Sequence, residues 1–278
     1  MFQGEVGCKR CQIGGQRIVM DILAKDLNDL KYAKYLLENP GLAAKITNAL
    51  GVPIEKGFDL LPKGWAKVVS SSTQKALWAA VHSAMLTMNK KKERDSANTF
   101  HKIMVAGSGA AGGFFGLPAL PVELPISTTI MMRSIADIAR SEDQLISDPQ
   151  VKVACLEVFA LGGPGKNDDT VETGYFATRT GLAKAVTDAA RHIAKKGLSE
   201  KSAPVIIKLI TQVSSRFGIQ VSEKIAAQAI PVIGAATGAI INTLFIDHFQ
   251  NMARGHFIVL RLEKKYGFDA IKQAYVTL

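Results

Sequence analysis

The sequence predicts an all-α protein, a single multi-helix bundle with two Gly/Pro-rich apolar helical segments at its centre. Three observations carry this. Apolar residues recur at three- and four-residue spacing along most of the chain, almost no stretch alternates with period two, and Gly or Pro punctuates the ends of the periodic runs. At 278 residues the chain can bury a substantial core, and no low-complexity linker divides it. The expected organisation is a flexible tail over residues 1–20 and one helical domain over residues 21–278.

The first helix is expected over Ile22–Glu38, where Ile22, Leu23, Leu27, Leu30, Ala33 and Leu37 share a face and Asn39-Pro40-Gly41 supplies the stop. Leu42–Leu50 follows as a short helix ending at Gly51, and Pro53, Gly57, Pro62 and Gly64 punctuate a connector. A longer helix is expected from about Trp65 to Met88, ending in the mixed-charge run Lys90–Asp95, which reads first as a solvated loop and alternatively as a membrane-surface contact. Next comes the central stretch, Ile103–Met132, with Glu123 as its only formal charge. Gly109, Gly112, Gly113 and Gly116 fall on one helical face, which lets another backbone approach closely. Pro118, Pro121 and Pro125 then read as a bend, with the helix resuming from Ile126 to Glu142. On that helix Ile130, Met131, Ser134, Ile135 and Ile138 face one side, while Arg133, Asp137 and Arg140 face the other.

Val151–Leu161 reads as helix rather than strand because of Ala154, Leu156 and Glu157, and it stops at Gly162-Gly163. Helices are expected over Val171–Lys195 and Pro204–Phe217. A second uncharged segment, Ile225–Ile246, repeats the style with Pro231, Gly234 and Gly238, and a last helix runs over Leu244–Tyr266 to a stop at Gly267.

The charge balance, 34 basic against 24 acidic side chains, gives a net of +10 and a positive field suited to anionic partners. No arginine-rich run or aromatic-interleaved basic patch accompanies it, so nucleic acid is not an expected partner. Cys8, Cys11 and Cys155 cannot form a disulfide framework, which suggests a reducing compartment. The Cys8–Cys11 CxxC has no second pair to complete a zinc site, so no metal is expected. Gln12, Gln16, Arg17 and Asp21 interrupt any apolar core of signal-peptide length. The expected location is therefore cytoplasmic, at the inner face of the membrane.

Gly107–Gly112 matches GxGxxG, but no strand precedes it and Pro118 follows within a few residues, so it does not read as a dinucleotide site. Gly162–Lys166 fails as a phosphate loop because Ala160 and Asn167 stand at required positions. No cofactor is expected. No GxSxG, HExxH or carboxylate pair is visible, so no residue is assigned as catalytic. The alternative from this class is a hydrolase using Glu123, or His248 with Asp247, as acid and base. His256, on an apolar face with Phe249, Met252 and Leu260, reads as a core histidine. Glu123 is the one carboxylate whose apolar setting looks costly.

The two Gly-rich segments have three readings: transmembrane helices of the small-xxx-small type, core helices of a bundle, or reversible inserters that wall an apolar cavity. Pro118 and Pro231 weigh against the first, because spanning takes about 20 continuous apolar residues.

Several blocks also resemble the EcsC protein family. They are NPGLAAKITNALGVPIEKG, GAAGGFFGLPALPVELPISTTIMMRSIADIAR, LEVFALGG, GYFATR, IPVIGAATGAIIN and FIDHFQNMARGHFIVLRLEKKYG, in that order. The resemblance runs from about residue 20 to the end and implies no particular activity. Some members have carried a peptidase label, which no motif here supports.

The function expected is non-enzymatic: a membrane-associated protein that binds lipid or an apolar ligand between helices and anionic headgroups through basic residues. A soluble interaction module for a transporter or secretion component is a further alternative. The candidate apolar-ligand residues are Gly109, Gly112, Gly113, Phe114, Phe115, Gly116, Glu123, Gly234, Gly238 and Phe245. Arg133, Arg140 and Arg179 are the candidate phosphate contacts, because guanidinium matches phosphate oxygens bidentately.

Overall fold

A computed structural model describes residues 22–38, 41–87, 117–163, 174–197, 203–230 and 235–278. Among these the fold is all-α, with no strand. The helices are α1 (Ala24–Glu38), α2 (Leu42–Leu50), α3 (Glu55–Phe58), α4 (Trp65–Thr87), α5 (Leu120–Ser141), α6 (Pro149–Glu157), α7 (Gly174–Lys196), α8 (Pro204–Ala229), α9 (Ala235–Tyr266) and α10 (Phe268–Thr277).

The core joins these helices through one hydrophobic cluster. Its centre is a group of phenylalanines from three elements: Phe159 from the 3-10 turn after α6, Phe217 from α8, and Phe245 and Phe249 from α9. Phe159 lies 5.0 Å from Phe217 and 5.3 Å from Phe249, and Phe245 lies 5.1 Å from Phe249. Tilted and edge-to-face pairs at this spacing add to simple area burial.

Helix α9 is the spine. Helix α1 runs antiparallel along it, because Leu37 and Ala33 lie against Gly255 while Asp29 pairs with Arg261 and Asp26 with Lys265. A Cβ on Gly255 would stand 2.7 Å from Leu37 Cγ and 3.0 Å from the Ala33 carbonyl oxygen, so glycine allows this approach. Helix α5 runs in the same direction as α9. Its Ser134 accepts a hydrogen bond from Gln250 at 2.8 Å, and further along Glu142 meets Arg254 and Arg261.

Several boundaries depart from the sequence reading. The expected bend before Ile126 is a 3-10 turn, Leu117–Ala119, leading directly into α5 at Leu120. Pro121 sits in the first turn, where its missing N–H has no intrahelical acceptor, and Pro125 gives up one backbone bond. Helix α8 continues past Phe217 to Ala229, because Gly218 faces open space and acts as an interior residue rather than a stop. Helix α9 begins at Ala235, well before Leu244, so Gly238 lies inside it. Gly267, with φ +88°, ends α9 as expected, but the unexpected α10 starts at the next residue. The connector after Gly51 holds the equally unexpected α3. Val151–Leu161 is helical, as expected, closing in a 3-10 turn. The tail, the Lys90–Asp95 run and the KNDDT loop lie outside the described residues.

Candidate functional site

The feature that most needs a chemical account is a buried ion pair between α5 and α8. Lys224 lies on the inward stripe of α8 with Val213, Phe217 and Gln220, and its side chain is 0% exposed. Its ammonium donates to both oxygens of Glu123, at 2.9 and 3.0 Å. It also lies 5.0 Å from the centroid of the Phe245 ring, a cation–π distance. Glu123 is in the first turn of α5, where the helix dipole favours an anion, and its side chain is 10% exposed. On either side of it Val122 is 69% and Ile126 50% exposed. Glu123 of the pair thus shares the start of α5 with two aliphatic side chains that face solvent.

Three further buried polar side chains on α8 and α9 carry atoms without a hydrogen-bond partner. Asn242 precedes Phe245 by one turn on the same face of α9; it is buried, and neither atom of its amide is hydrogen-bonded. Gln220, one turn before Lys224, donates to the Leu161 carbonyl at 3.0 Å, while its own oxygen is unpaired. His248 is buried, with no partner at either ring nitrogen. Its ring lies against the turn at Gly162, whose φ of +73° and contact with the imidazole both require glycine. Burial, aided by the Lys45 charge, brings the His248 pKa down to about 3, so the imidazole is neutral at physiological pH.

The hydrolase alternative gains nothing from this geometry. Neither His248 nitrogen is held by a carboxylate, and Asp247, its chain neighbour on the helix, projects in another direction. Glu123 is engaged by Lys224. His256 is a core residue, as expected: the Tyr175 hydroxyl and His256 Nδ1 are 2.9 Å apart, and Nε2 lies 3.9 Å from Glu157. Burial lowers the His256 pKa well below the usual range and pushes Glu157 up to about 7.

The opposite end of the bundle is ionic. Arg261 bridges Asp29 at 2.9 Å and Glu142 at 3.2 Å, and Lys265 and the Tyr266 hydroxyl both donate to Asp26 at 2.6 Å. Those two donors hold the Asp26 carboxyl below its ordinary range. Arg179 is gripped bidentately by Glu263, at 2.6 and 2.9 Å.

Of the candidate residues, the structure brings Glu123 and Phe245 together through Lys224. Gly238 is buried on α9, two turns from Phe245. Gly109, Gly112, Gly113, Phe114, Phe115, Gly116 and Gly234 lie outside the described residues. Arg133 is exposed on α5, Arg140 is beside Asp137, and Arg179 is at the ionic end with its guanidinium on Glu263. The sequence reading missed Lys224. The signal was there, a lysine at helical spacing with Val213, Phe217 and Gln220 on an otherwise apolar stripe.

Fold and site together define an all-helical protein whose distinctive chemistry is a sheltered ion pair. No helix among the described residues is long and apolar enough to cross a membrane, and no cluster of His, Cys, Asp or Glu among them is arranged to hold a metal. The chain belongs to the EcsC protein family, whose model matches residues 38–262. Helix α10 and nearly all of α1 lie outside the matched span. No curated protein and no solved structure matches the chain.

Proposed function

We propose that the protein is a non-catalytic, peripheral membrane protein that holds a lipid or another apolar ligand between its helices and meets anionic headgroups through basic residues. Its place would be the cytoplasmic face of the membrane. One observation carries this reading. Val122 and Ile126 face solvent at the start of α5, in the same stretch of helix as Glu123 of the buried Glu123–Lys224 pair. Aliphatic side chains one turn apart on a helix face favour an apolar phase, and a charged pair at the same helix end can read a polar headgroup.

The net charge of +10 supports the same reading, since each basic residue near an anionic surface contributes about 1 kcal/mol. Arg133 and Arg140, on the outer side of α5, are the headgroup contacts proposed on that helix. Arg179 would have to leave Glu263 to take a phosphate, which places it last among the three. Flotation with phosphatidylcholine/phosphatidylglycerol vesicles at low and moderate salt tests the reading. Association that weakens with salt is expected; no association in either condition refutes membrane binding. Native mass spectrometry of protein purified without detergent, showing no co-purifying lipid, would refute the bound ligand.

A further inference from the structure

The membrane reading leaves open which lipid the site selects, and the Glu123–Lys224 pair carries an answer. The pair is neutral as a unit, and Lys224 is wholly buried with only Glu123 as its counter-charge among the described contacts. A purely anionic ligand that took the ammonium would leave the Glu123 carboxylate without a partner in an apolar surround, a costly arrangement. A purely cationic ligand would strand Lys224 in the same way. A zwitterion avoids both, because its phosphate satisfies Lys224 while its ammonium satisfies Glu123.

Resting on the membrane reading, we propose that this site binds the phosphoethanolamine group, a phosphate joined to a primary ammonium by a short carbon chain. The group enters between the two side chains and opens their direct contact. Asn242 is the independent observation. Its buried amide, one turn from Phe245 on the face that the Lys224 ammonium overlies, has an unpaired donor and an unpaired acceptor. Those suit a phosphate oxygen and an ammonium hydrogen respectively. A quaternary ammonium has no N–H to give Glu123, so phosphatidylcholine satisfies only half of the site. Val122 and Ile126 lie where the ligand enters and contact the start of the acyl chains.

The same headgroup chemistry occurs in phosphatidylethanolamine and in soluble glycerophosphoethanolamine, and the test separates them. Full-length protein is floated with phosphatidylcholine/phosphatidylglycerol vesicles, with and without phosphatidylethanolamine replacing part of the phosphatidylcholine. Glycerophosphoethanolamine is titrated separately by calorimetry. The expected result is about tenfold greater partitioning with phosphatidylethanolamine, the size of one charged hydrogen bond.

Because Glu123→Gln or Lys224→Met alone strands a buried charge or donor, the decisive protein is the double variant Glu123→Leu/Lys224→Met. Replacing both ions with apolar groups tends to preserve folding. The double variant, with the helical circular dichroism of the wild type as its check on folding, should lose the phosphatidylethanolamine preference. Calorimetric binding of glycerophosphoethanolamine without any flotation preference supports the site and assigns it to the free compound. Equal flotation of the wild type in both vesicles, with no binding of glycerophosphoethanolamine, overturns the proposal while leaving membrane association intact. A double variant that retains the preference overturns it too. No flotation with either vesicle is instead the failure of the membrane reading.

Discussion

Replacing Glu157 with Gln should make the protein more stable above neutral pH and leave it nearly unchanged in mild acid. Glu157 is buried at the end of α6, and burial raises its pKa from 4.5 to about 7 against the opposing pull of Arg179. The folded state therefore holds this proton more tightly than the unfolded chain does. The stabilisation is fully present below about 4.5 and is lost as pH rises through about 7, a loss of about 3 kcal/mol when complete. Glutamine imitates the protonated acid and carries no such loss. His248 and His256 act in the opposite sense, because burial lowers both. Their contribution is present above about 6.5 and is lost as pH falls, toward about 3 for His248, which masks Glu157 in the wild type alone. The comparison of wild type with Glu157→Gln removes this masking, since both proteins share the histidines. Urea unfolding followed by circular dichroism at pH 5, 6, 7 and 8 gives the difference directly. A variant that gains no stability between pH 5 and pH 8 relative to wild type would refute the assignment of a neutral, buried Glu157.

Arg179→Ala strands the Glu263 carboxylate in a part-buried position and should cost about 3 kcal/mol, with Arg179→Lys recovering only part because lysine cannot reproduce the two parallel bonds. A double-mutant cycle with Glu263→Gln measures this coupling, and additive losses would show that the pair contributes nothing of its own. Gly57→Ala should destabilise by about 2 kcal/mol or more, because a Cβ there overlaps the Ala226 carbonyl oxygen and α3 must move off α8. Gly51→Ala, with φ +65° but open space around it, should cost only about 1 kcal/mol, and an equal loss at both sites in chemical unfolding would contradict the packing. The Cys155 thiol is pushed up to about 12 by burial. In a Cys8→Ser/Cys11→Ser background it should therefore resist a thiol-specific disulfide reagent at pH 8 until urea unfolds the chain, and rapid labelling of the native protein would contradict its burial.

The parts of the fold legible in the sequence were those with local punctuation. Gly51 marks the end of α2, and the structure puts it in the left-handed conformation that closes the helix; the apolar spacing of α1 and the Asn39-Pro40-Gly41 stop mark that helix, whose stripe packs on α9. The errors arose where glycine and proline sit inside helices. Pro121 and Pro125 read as a bend but fall in the early turns of α5, and Gly218 and Gly238 are interior to α8 and α9, whose packing outweighs weak propensity. Helix α10 was hidden by the opposite mistake, since Gly267 was a true stop but Ile271, Ala274 and Tyr275 resume the stripe directly after it. At the site, Glu123 stood out because a lone carboxylate in an apolar run needs a partner. That partner lies 101 residues away, a separation that no local pattern reports. Arg179 was read as a phosphate contact for its chemistry, which is real, but its fork is filled by a carboxylate 84 residues on.

The two sets of charges in the bundle do different physical work. At the far end Asp26 and Glu142 are buried, but Asp29 and the cations Arg254, Arg261 and Lys265 remain partly exposed, so solvent screens these pairs while they set the register of α1 and α5 along α9. The Glu123–Lys224 pair has no such excuse. Its ammonium is fully removed from water, and desolvation of two ions offsets most of their attraction, so a leucine facing a methionine would hold α5 to α8 at least as well. What the ions provide and an apolar pair lacks is an arrangement that a ligand of matching charges can open without stranding either one. That is why the neutral double substitution, rather than either single change, separates a structural role for this pair from a recognition role.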